Sequence, residues 1–197
     1  MASGPTARGE ASRARLVDAM RERVQRDGCG ATGVGDVLAD TGLPKGSLYH
    51  HFPGGKEELV AAAVTSAGAQ IDAAFAAVLD ATPDPALAVT RLAELLAVQL
   101  ERSAFTRGCP VATVALETAH ASDRIAGAAA GAFGTWRDRL AAHLTAAGVP
   151  AAVAAQRAVL VLSALEGALV LARAGRDAAP LRSVAVQLGP LLDSKQV

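Results

Sequence analysis

The sequence predicts an all-α fold of about nine helices. Hydrophobic residues make up 51% of the 197-residue chain, and aromatic residues make up only 3%. A core rich in alanine and leucine favours helix over strand. The apolar positions also recur at i, i+3 and i+4, which is the spacing of a helix with one buried face. Three helices over residues 8–55 are followed by longer helices over residues 56–197.

Glycine-rich breaks separate the three N-terminal helices. The sequence places these helices at about residues 12–27, 34–40 and 45–51. Gly42 lies in the tight break between the second and third helices, and residues 53–55 (PGG) end the third. The first seven residues are predicted to form a flexible tail.

Six further helices follow, and their ends carry proline, glycine or aspartate. They cover about residues 56–81, 85–103, 111–121, 123–147, 150–173 and 180–193. Asp84 is suited to capping the helix after it, and Pro85 suits the first helical position. The apolar run VLVLSALEGALVLA (159–172) contains Glu166 and is shorter than the roughly 20 residues of a membrane span. It therefore predicts a buried helix rather than a membrane segment.

Charge and cysteine usage limit the classes of protein. The formal net charge is zero, so any nucleic-acid surface must be local rather than general. Residues 41–56 contain two lysines, two histidines and no acid, and so form a small cationic island. Cys29 and Cys109 lack the spacing of a zinc site or disulfide framework. No N-terminal apolar run resembles a signal peptide, so a cytoplasmic location is expected.

Motifs for cofactors and catalysis are weak. The segment GCGATG (28–33) fits G-x-G-x-x-G by letter, but a predicted helix precedes it, whereas a dinucleotide site requires a strand. Gly54-Gly55-Lys56 lacks the frame of a phosphate-binding loop, because Glu57 follows the lysine. Adjacent His50 and His51 point about 100° apart on a helix, which is poor geometry for one metal ion. We expect no cofactor, no metal and no catalytic residue set.

The second and third helices fit a helix-turn-helix. Val37, Leu38, Leu43, Leu48 and Phe52 supply the inner contacts, and Gly42 supplies the turn. The third helix then exposes residues that suit contact with DNA, as Lys56 does at the start of the fourth helix. The lysine and serine of the third helix reach base edges, and Gly46 allows close backbone approach. Tyr49, His50 and Lys56 hold phosphates. These residues are Lys45, Gly46, Ser47, Tyr49, His50 and Lys56. For Tyr49 a core aromatic is the alternative, and His51 is expected to be packed or solvent-facing.

The segment GLPKGSLYHHF (42–52), followed by KEEL (56–59), resembles the DNA-binding signature of the TetR family of bacterial repressors. The PGG insert and RGCPV (107–111) are similar to the subgroup containing LmrA and YxaF. The resemblance implies a homodimer with N-terminal DNA-binding helices (8–55) and a C-terminal domain for effector binding and dimerisation (56–197). Three residues depart from the family pattern. Leu38 affects the packing between the two short helices, and Gly33 and Pro44 stand where those helices begin.

The C-terminal helices hold more apolar residues than a two-layer bundle needs, so some of them are candidates for lining an effector pocket. These are Leu92, Leu96, Gln99, Val114, Glu117, Trp136, Leu140, Leu165, Glu166 and Leu169. For each apolar member, ordinary core packing is the alternative. Gln99, Glu117 and Glu166 are polar in apolar surroundings, so each needs a partner, a pocket or water. For Glu166, pocket, dimer interface and solvent remain open.

These observations favour a ligand-responsive repressor of transcription over two alternatives. Its expected partners are a palindromic double-stranded DNA operator, a small hydrophobic effector and a second copy of the chain bound through the last two helices, with no membrane. The alternatives are a helical small-molecule-binding protein without DNA function and an all-α enzyme. The acid-free cationic island favours the first hypothesis.

Overall fold

A computed structural model describes residues 7–118 and 120–192, and all regular structure within those ranges is helical. The nine α-helices are α1 (Ala7–Asp27), α2 (Val34–Thr41), α3 (Lys45–His51), α4 (Gly55–Asp80), α5 (Pro85–Arg102), α6 (Pro110–Thr118), α7 (Asp123–Ala146), α8 (Ala151–Gly175) and α9 (Ala179–Leu188). A short 3₁₀ helix, Gly189–Leu192, follows α9. The all-α prediction is confirmed.

Several helix ends differ from the prediction, among them the end of α9 at Leu188, about five residues earlier than expected, because Gly189–Leu192 forms a 3₁₀ helix. α1 begins at Ala7, about five residues earlier than expected, because Ala and Arg are good helix formers and Glu10 complements the helix dipole in the first turn. Residues 1–6 of the predicted tail lie outside the described residues. α6 ends at Thr118, earlier than expected, since Ser122 already caps α7 by accepting a hydrogen bond from Ile125 N at 3.2 Å.

The turn between α2 and α3 is fixed by backbone geometry and by α1. Gly42 has φ 63°, a left-handed conformation that glycine adopts without strain, and its N–H donates to Leu38 O at 2.8 Å. The Thr41 hydroxyl donates to Val37 O at 2.9 Å. Arg15 of α1 donates to the Thr41 carbonyl. The orientation of α3 therefore depends on this glycine and on α1.

Contacts divide the chain into two compact units. One holds Met1–Gly68 and Pro110–Gly131, and the other holds Ala69–Cys109 and Ala132–Val197. The long helices α4 and α7 each contribute to both units. This grouping describes packing, so the predicted functional division into residues 8–55 and 56–197 stays a prediction.

Each unit has its own aliphatic core. In the first, the buried face of α1 carries Leu16, Val17, Met20 and Val24. In the second, Trp136 is 1% exposed, and its ring centroid lies 6.0 Å from that of Phe75 and 5.3 Å from that of Phe133. In the same unit, α5, α8 and α9 pack against one another. Three of the six Phe, Trp and Tyr rings of the chain therefore lie together in this core.

α4 and α8 are long and apolar enough to cross a membrane by length and composition alone. Core helices of water-soluble proteins pass the same test. The predicted apolar run 159–172 lies inside α8, whose buried positions recur at helical spacing along one side, from Ala154 to Ala172. Because α8 packs against α5 and α9, its apolar character is accounted for in part by the core of its unit.

Asp84 caps α5 as predicted: its carboxylate accepts a hydrogen bond from Leu87 N at 2.7 Å. We expect Asp84→Ala to lower the free energy of unfolding by about 1 kcal/mol, because an amide of the first turn loses its acceptor. Asp84→Asn removes the same charge but keeps an acceptor oxygen, so it should cost less. Urea denaturation measures both, and equal losses would show that the cap contributes nothing.

Candidate DNA-binding surface and effector residues

The inner face of the helix-turn-helix is closely packed. Val37 and Leu48 are fully buried and Phe52 is 1% exposed, while Leu38 and Leu43 are half-buried. α1 packs against both α2 and α3. Since these side chains occupy the inner side of α3, its remaining positions face outward.

The outer face of α3 carries most of the residues predicted to contact DNA. Lys45, Gly46, Tyr49 and His50 are exposed and Ser47 is half-buried. Tyr49, for which a core position was the alternative, is 46% exposed. A Cβ atom built on Gly46 meets no atom within 4 Å, so this part of the surface is open to close approach. The structure therefore brings five of the six predicted residues together on one short helix.

The Tyr49 ring lies between Lys45, at the start of α3, and Gly55, at the start of α4. The Lys45 ammonium lies 5.9 Å from the centroid of the Tyr49 ring, within the range of a cation–π contact. On the other side, a Cβ built on Gly55 would lie 3.5 Å from Tyr49 Cε1. The ring thus rests near the start of α4 while its outer part remains in solvent.

The two histidines differ in environment, as the sequence predicted. Their ring centroids are 4.9 Å apart in an edge-to-face arrangement. His51 is half-buried, and burial lowers its pKa, with smaller contributions from His50 and Arg13. A lowered pKa keeps the His51 ring neutral at pH 7. His50 is the exposed member and is the one available to a phosphate.

Arg13 was missed by the sequence analysis. It is an exposed residue of α1, and its guanidinium lies 5.1 Å from the centroid of the Phe52 ring. Its contribution to the lowered pKa of His51 places its charge next to the end of α3. The arginines of the SRAR segment (12–15) were the available signal, but helical periodicity alone gave no reason to choose one of them.

Lys56 lies at the start of α4 and is half-buried. Its Nζ donates a hydrogen bond to Cys29 O at 2.9 Å, in the loop between α1 and α2. A lysine ammonium has three N–H donors, so two remain for other acceptors. The loop bond restricts the position of a flexible side chain.

The candidate effector residues fall into both units. Val114 and Glu117 belong to the unit with the N-terminal helices, and the other eight belong to the second unit. Most of the apolar members are buried, and Leu96 is half-buried. The buried ones are Leu92, Val114, Trp136, Leu140, Leu165 and Leu169. Burial fits core packing and pocket lining equally, so their effector role stays a prediction.

Gln99 and Glu117 differ from the expected apolar surroundings, because both are exposed. Gln99 lies on the outer side of α5, next to the buried positions Ala97 and Leu100. Glu117 Oε2 accepts a hydrogen bond from Gly30 N at 2.8 Å. The Gln99 amide is therefore accessible to solvent, and the Glu117 carboxylate is bound by a backbone amide.

Glu166 is the polar candidate that does lie in apolar surroundings. Burial raises the pKa of its carboxyl, and a hydrogen bond from the Cys109 thiol opposes this in part. Its Oε2 is buried and has no hydrogen-bond partner within residues 7–118 and 120–192. Nearby on α8, Arg173 donates to Thr106 O at 3.1 Å, so α8 contacts both ends of the segment 106–109. Within the same ranges, no group of three or more His, Cys, Asp or Glu side chains could hold a metal ion.

The short helix α3 exposes Lys45, Gly46, Tyr49 and His50 and packs against α1. This arrangement defines the class of protein: a helix-turn-helix DNA-binding regulator, in which further helices follow along the chain. Residues 16–63 match the family of bacterial regulatory proteins called tetR, and residues 85–187 match the C-terminal domain of LmrA/YxaF-like transcriptional regulators. The chain belongs to the TetR family of transcriptional regulators, in the LmrA/YxaF-like group.

Individual relatives agree with this assignment. An HTH-type transcriptional regulator of Mycobacterium tuberculosis is 38% identical over 91% of this chain and 93% of its own length. YxaF of Bacillus subtilis is 33% identical over 96% of this chain and 99% of its own. The crystal structure of a TetR transcriptional regulator from Chloroflexus aurantiacus is 25% identical, with a TM-score of 0.80 over 94% of this chain and 96% of that one.

The burial of the Glu166 carboxyl can be tested by measuring stability as a function of pH. Because its folded pKa lies above its unfolded value, its contribution to stability is present at low pH and is lost as pH rises through the folded pKa. We expect Glu166→Gln to be more stable than the wild type at pH 8, by about 1 kcal/mol, which is typical of a single substitution. The difference should shrink towards pH 4. Urea denaturation across this range measures it.

Glu22→Gln is the control, because Glu22 is exposed and lies outside the first turn of α1. It should show no comparable trend with pH. A Glu166→Gln variant destabilised equally at every pH would mean that the charged carboxylate is satisfied in the folded protein.

Proposed function

We propose that this regulator is a ligand-responsive repressor that binds an inverted-repeat operator as a homodimer in the cytoplasm and is released by a small hydrophobic effector. The observation that carries the proposal is the exposed face of α3, where Lys45, Tyr49 and His50 surround the open backbone at Gly46. Such a face fits the major groove, where side chains read base edges and backbone groups approach closely.

The DNA contacts are divided by chemistry. We assign base-edge contacts to Lys45 and Ser47, and phosphate contacts to Tyr49, His50 and Lys56. Arg13 is added as a phosphate contact, because its guanidinium is held beside Phe52 at the end of α3. The chain has no net charge, so this local group of cations supplies the attraction to DNA.

The proposed dimer interface is an apolar face on α8 and α9. On α8, Val159 and Val170 are 49% and 56% exposed, and on α9 Val186 is 66% exposed. Between the two valines of α8 lie exposed Ser163 and Gly167, which continue the same face at helical spacing. Small residues there allow a second α8 to approach closely. Apolar side chains exposed in a contiguous patch are typical of an interaction surface.

The effector is proposed to bind in the second unit, among the buried apolar residues around Trp136. Trp136, Leu140 and Leu165 are each 2% exposed or less, so a ligand that reaches them must itself be largely apolar. Effector binding then favours a conformer of the dimer whose two α3 helices no longer match the spacing of the operator. The proposal assigns no catalytic role to any residue.

The central experiment measures binding of the purified protein to an inverted repeat from its own upstream region, at several salt concentrations. We expect tight binding that weakens steeply with salt, because neutralised phosphates release counterions. Binding that is absent, or equally strong on scrambled DNA, would contradict the proposal and favour a small-molecule-binding protein without DNA function.

Lys45→Ala tests the base contact. We expect it to weaken binding to the operator by about 1–3 kcal/mol and to relax specificity, because one base-edge contact is lost. The measurement is fluorescence anisotropy with operator and scrambled duplexes. Arg137→Ala is a charge-matched control, since Arg137 is exposed in the second unit and pairs with Asp138 at 2.8 Å. Equal losses on both duplexes would make Lys45 a phosphate contact instead.

Val170→Glu tests the dimer interface. Placing a charge on the apolar face of α8 should give a monomer by light scattering, because an unpaired charge cannot be buried there. Operator binding should fall by about a hundredfold or more, since the second half-site no longer binds as part of the same molecule. Leu116→Glu is the matched control: Leu116 is 80% exposed on α6. A Val170→Glu variant that remains dimeric would place the interface elsewhere.

A further inference from the structure

We propose that Glu117 is a positioning residue that holds Lys56 for its contact with DNA, acting through the loop between α1 and α2. Glu117 Oε2 accepts a hydrogen bond from Gly30 N at 2.8 Å. In the neighbouring residue, Cys29 O accepts a hydrogen bond from Lys56 Nζ at 2.9 Å. One peptide group, made of the Cys29 carbonyl and the Gly30 N–H, therefore connects the end of α6 to the start of α4. The inference rests on the proposed role of Lys56 in binding DNA.

The loop is shaped to take this carboxylate. Gly28 has φ 87°, a left-handed conformation, and a Cβ built on it would lie 2.4 Å from Glu117 Oε1. Only glycine therefore allows both the backbone turn and the close approach of the carboxylate. The Thr32 hydroxyl donates to Gly28 O at 2.7 Å. The loop is thus fixed internally, and movement of its outer side is restrained by Glu117 and Lys56.

The position of Glu117 in its helix supports a role for the contact. It lies in the last turn of α6, which contains no basic residue, and an acid there interacts unfavourably with the helix dipole. Donation from the Gly30 amide compensates this cost. The pKa of the Cys29 thiol is raised, mainly by burial. The positive charge of Lys56 opposes this increase, and the negative charge of Glu117 adds to it. Both charges therefore act on the same loop.

Contacts on either side of Lys56 extend the same connection. Ser122, just before α7, donates to Glu57. Arg124 lies 3.8 Å from the Glu58 carboxylate, which accepts a hydrogen bond from Gly54 N at 2.8 Å. Ser122 and Arg124, which follow α6, therefore bind the two residues after Lys56. Glu117 acts on Lys56 itself, through the peptide group of the loop.

Fixing Lys56 in advance favours DNA binding, because a lysine side chain otherwise loses rotamer freedom when it meets a phosphate. Without Glu117, Gly30 loses its carboxylate acceptor and the carbonyl of Cys29 is held less firmly. The ammonium of Lys56 then samples more positions. The consequence is weaker binding and a smaller contribution of Lys56 to the salt dependence.

The experiment is a double-mutant cycle on operator DNA. We expect Glu117→Ala to weaken binding by about threefold to tenfold, the range for one lost hydrogen bond, and to reduce the salt slope. Glu117→Gln keeps an acceptor oxygen and should bind almost as the wild type does. In a Lys56→Met background, Glu117→Ala should have no further effect. Glu22→Ala, on the exposed side of α1, controls for the lost negative charge.

A second readout does not require DNA: the rate at which an acylating reagent modifies Lys56 in the free, full-length protein. Glu117→Ala should raise this rate by about threefold. Without Glu117 the loop is held less firmly, so the amino group of Lys56 leaves the Cys29 carbonyl more often and meets the reagent. Thermal unfolding establishes that each variant is folded.

Different outcomes separate the two proposals. If Glu117→Ala matches Glu22→Ala in affinity, salt slope and labelling, or is equally costly with and without Lys56, the positioning role is wrong. If the wild type itself shows no salt-dependent binding to the operator, the proposed function fails. The link between Glu117 and Lys56 is then decided by the labelling rates alone, and an unchanged rate would overturn it.

Discussion

The proposed DNA-binding surface depends on the burial of Leu48 and Phe52 under a helix of only seven residues. Isolated helices shorter than about 12–15 residues are marginal in water, so α3 (Lys45–His51) is stabilised by its contacts with α1 and α2. Each fully buried side chain of this size contributes about 1.5–3 kcal/mol. Because these two side chains fix one face of α3, the outward direction of Lys45, Tyr49 and His50 follows from them.

Charge is distributed so that a chain without net charge retains a cationic segment at residues 41–56. Several arginines of the other helices lie in ion pairs with acids, as Arg23 does with Asp40 and Arg139 with Asp72. These pairs hold the pKa of each aspartate below its usual range. Residues 41–56 contain no acid, so the cations of α3 are not neutralised by their own segment. We therefore expect the outer face of α3 to attract a polyanion although the chain as a whole has no net charge.

The sequence was most informative where single residues decide the local backbone. Glycine, proline and aspartate located the ends of most helices, and α3 was predicted to the residue. The outer face of α3 also followed from its short apolar pattern. Periodicity shows which side of a helix is buried but not which element covers it, so the exposure of Gln99 and the stacking of Arg13 on Phe52 were not predictable. Glu117 and Gly30, 87 residues apart, could be paired only by the folded chain.

The distribution of the two largest aromatic side chains has a spectroscopic consequence. The chain contains one tryptophan and one tyrosine: Trp136 is buried in the second unit, and Tyr49 is half in solvent on α3. Emission excited at the red edge of the absorption band arises from the indole alone, and so reports the surroundings of the proposed effector region. Tyrosine absorption or quenching reports the other unit. The natural protein thus carries a separate optical probe for each of its two units, without any label.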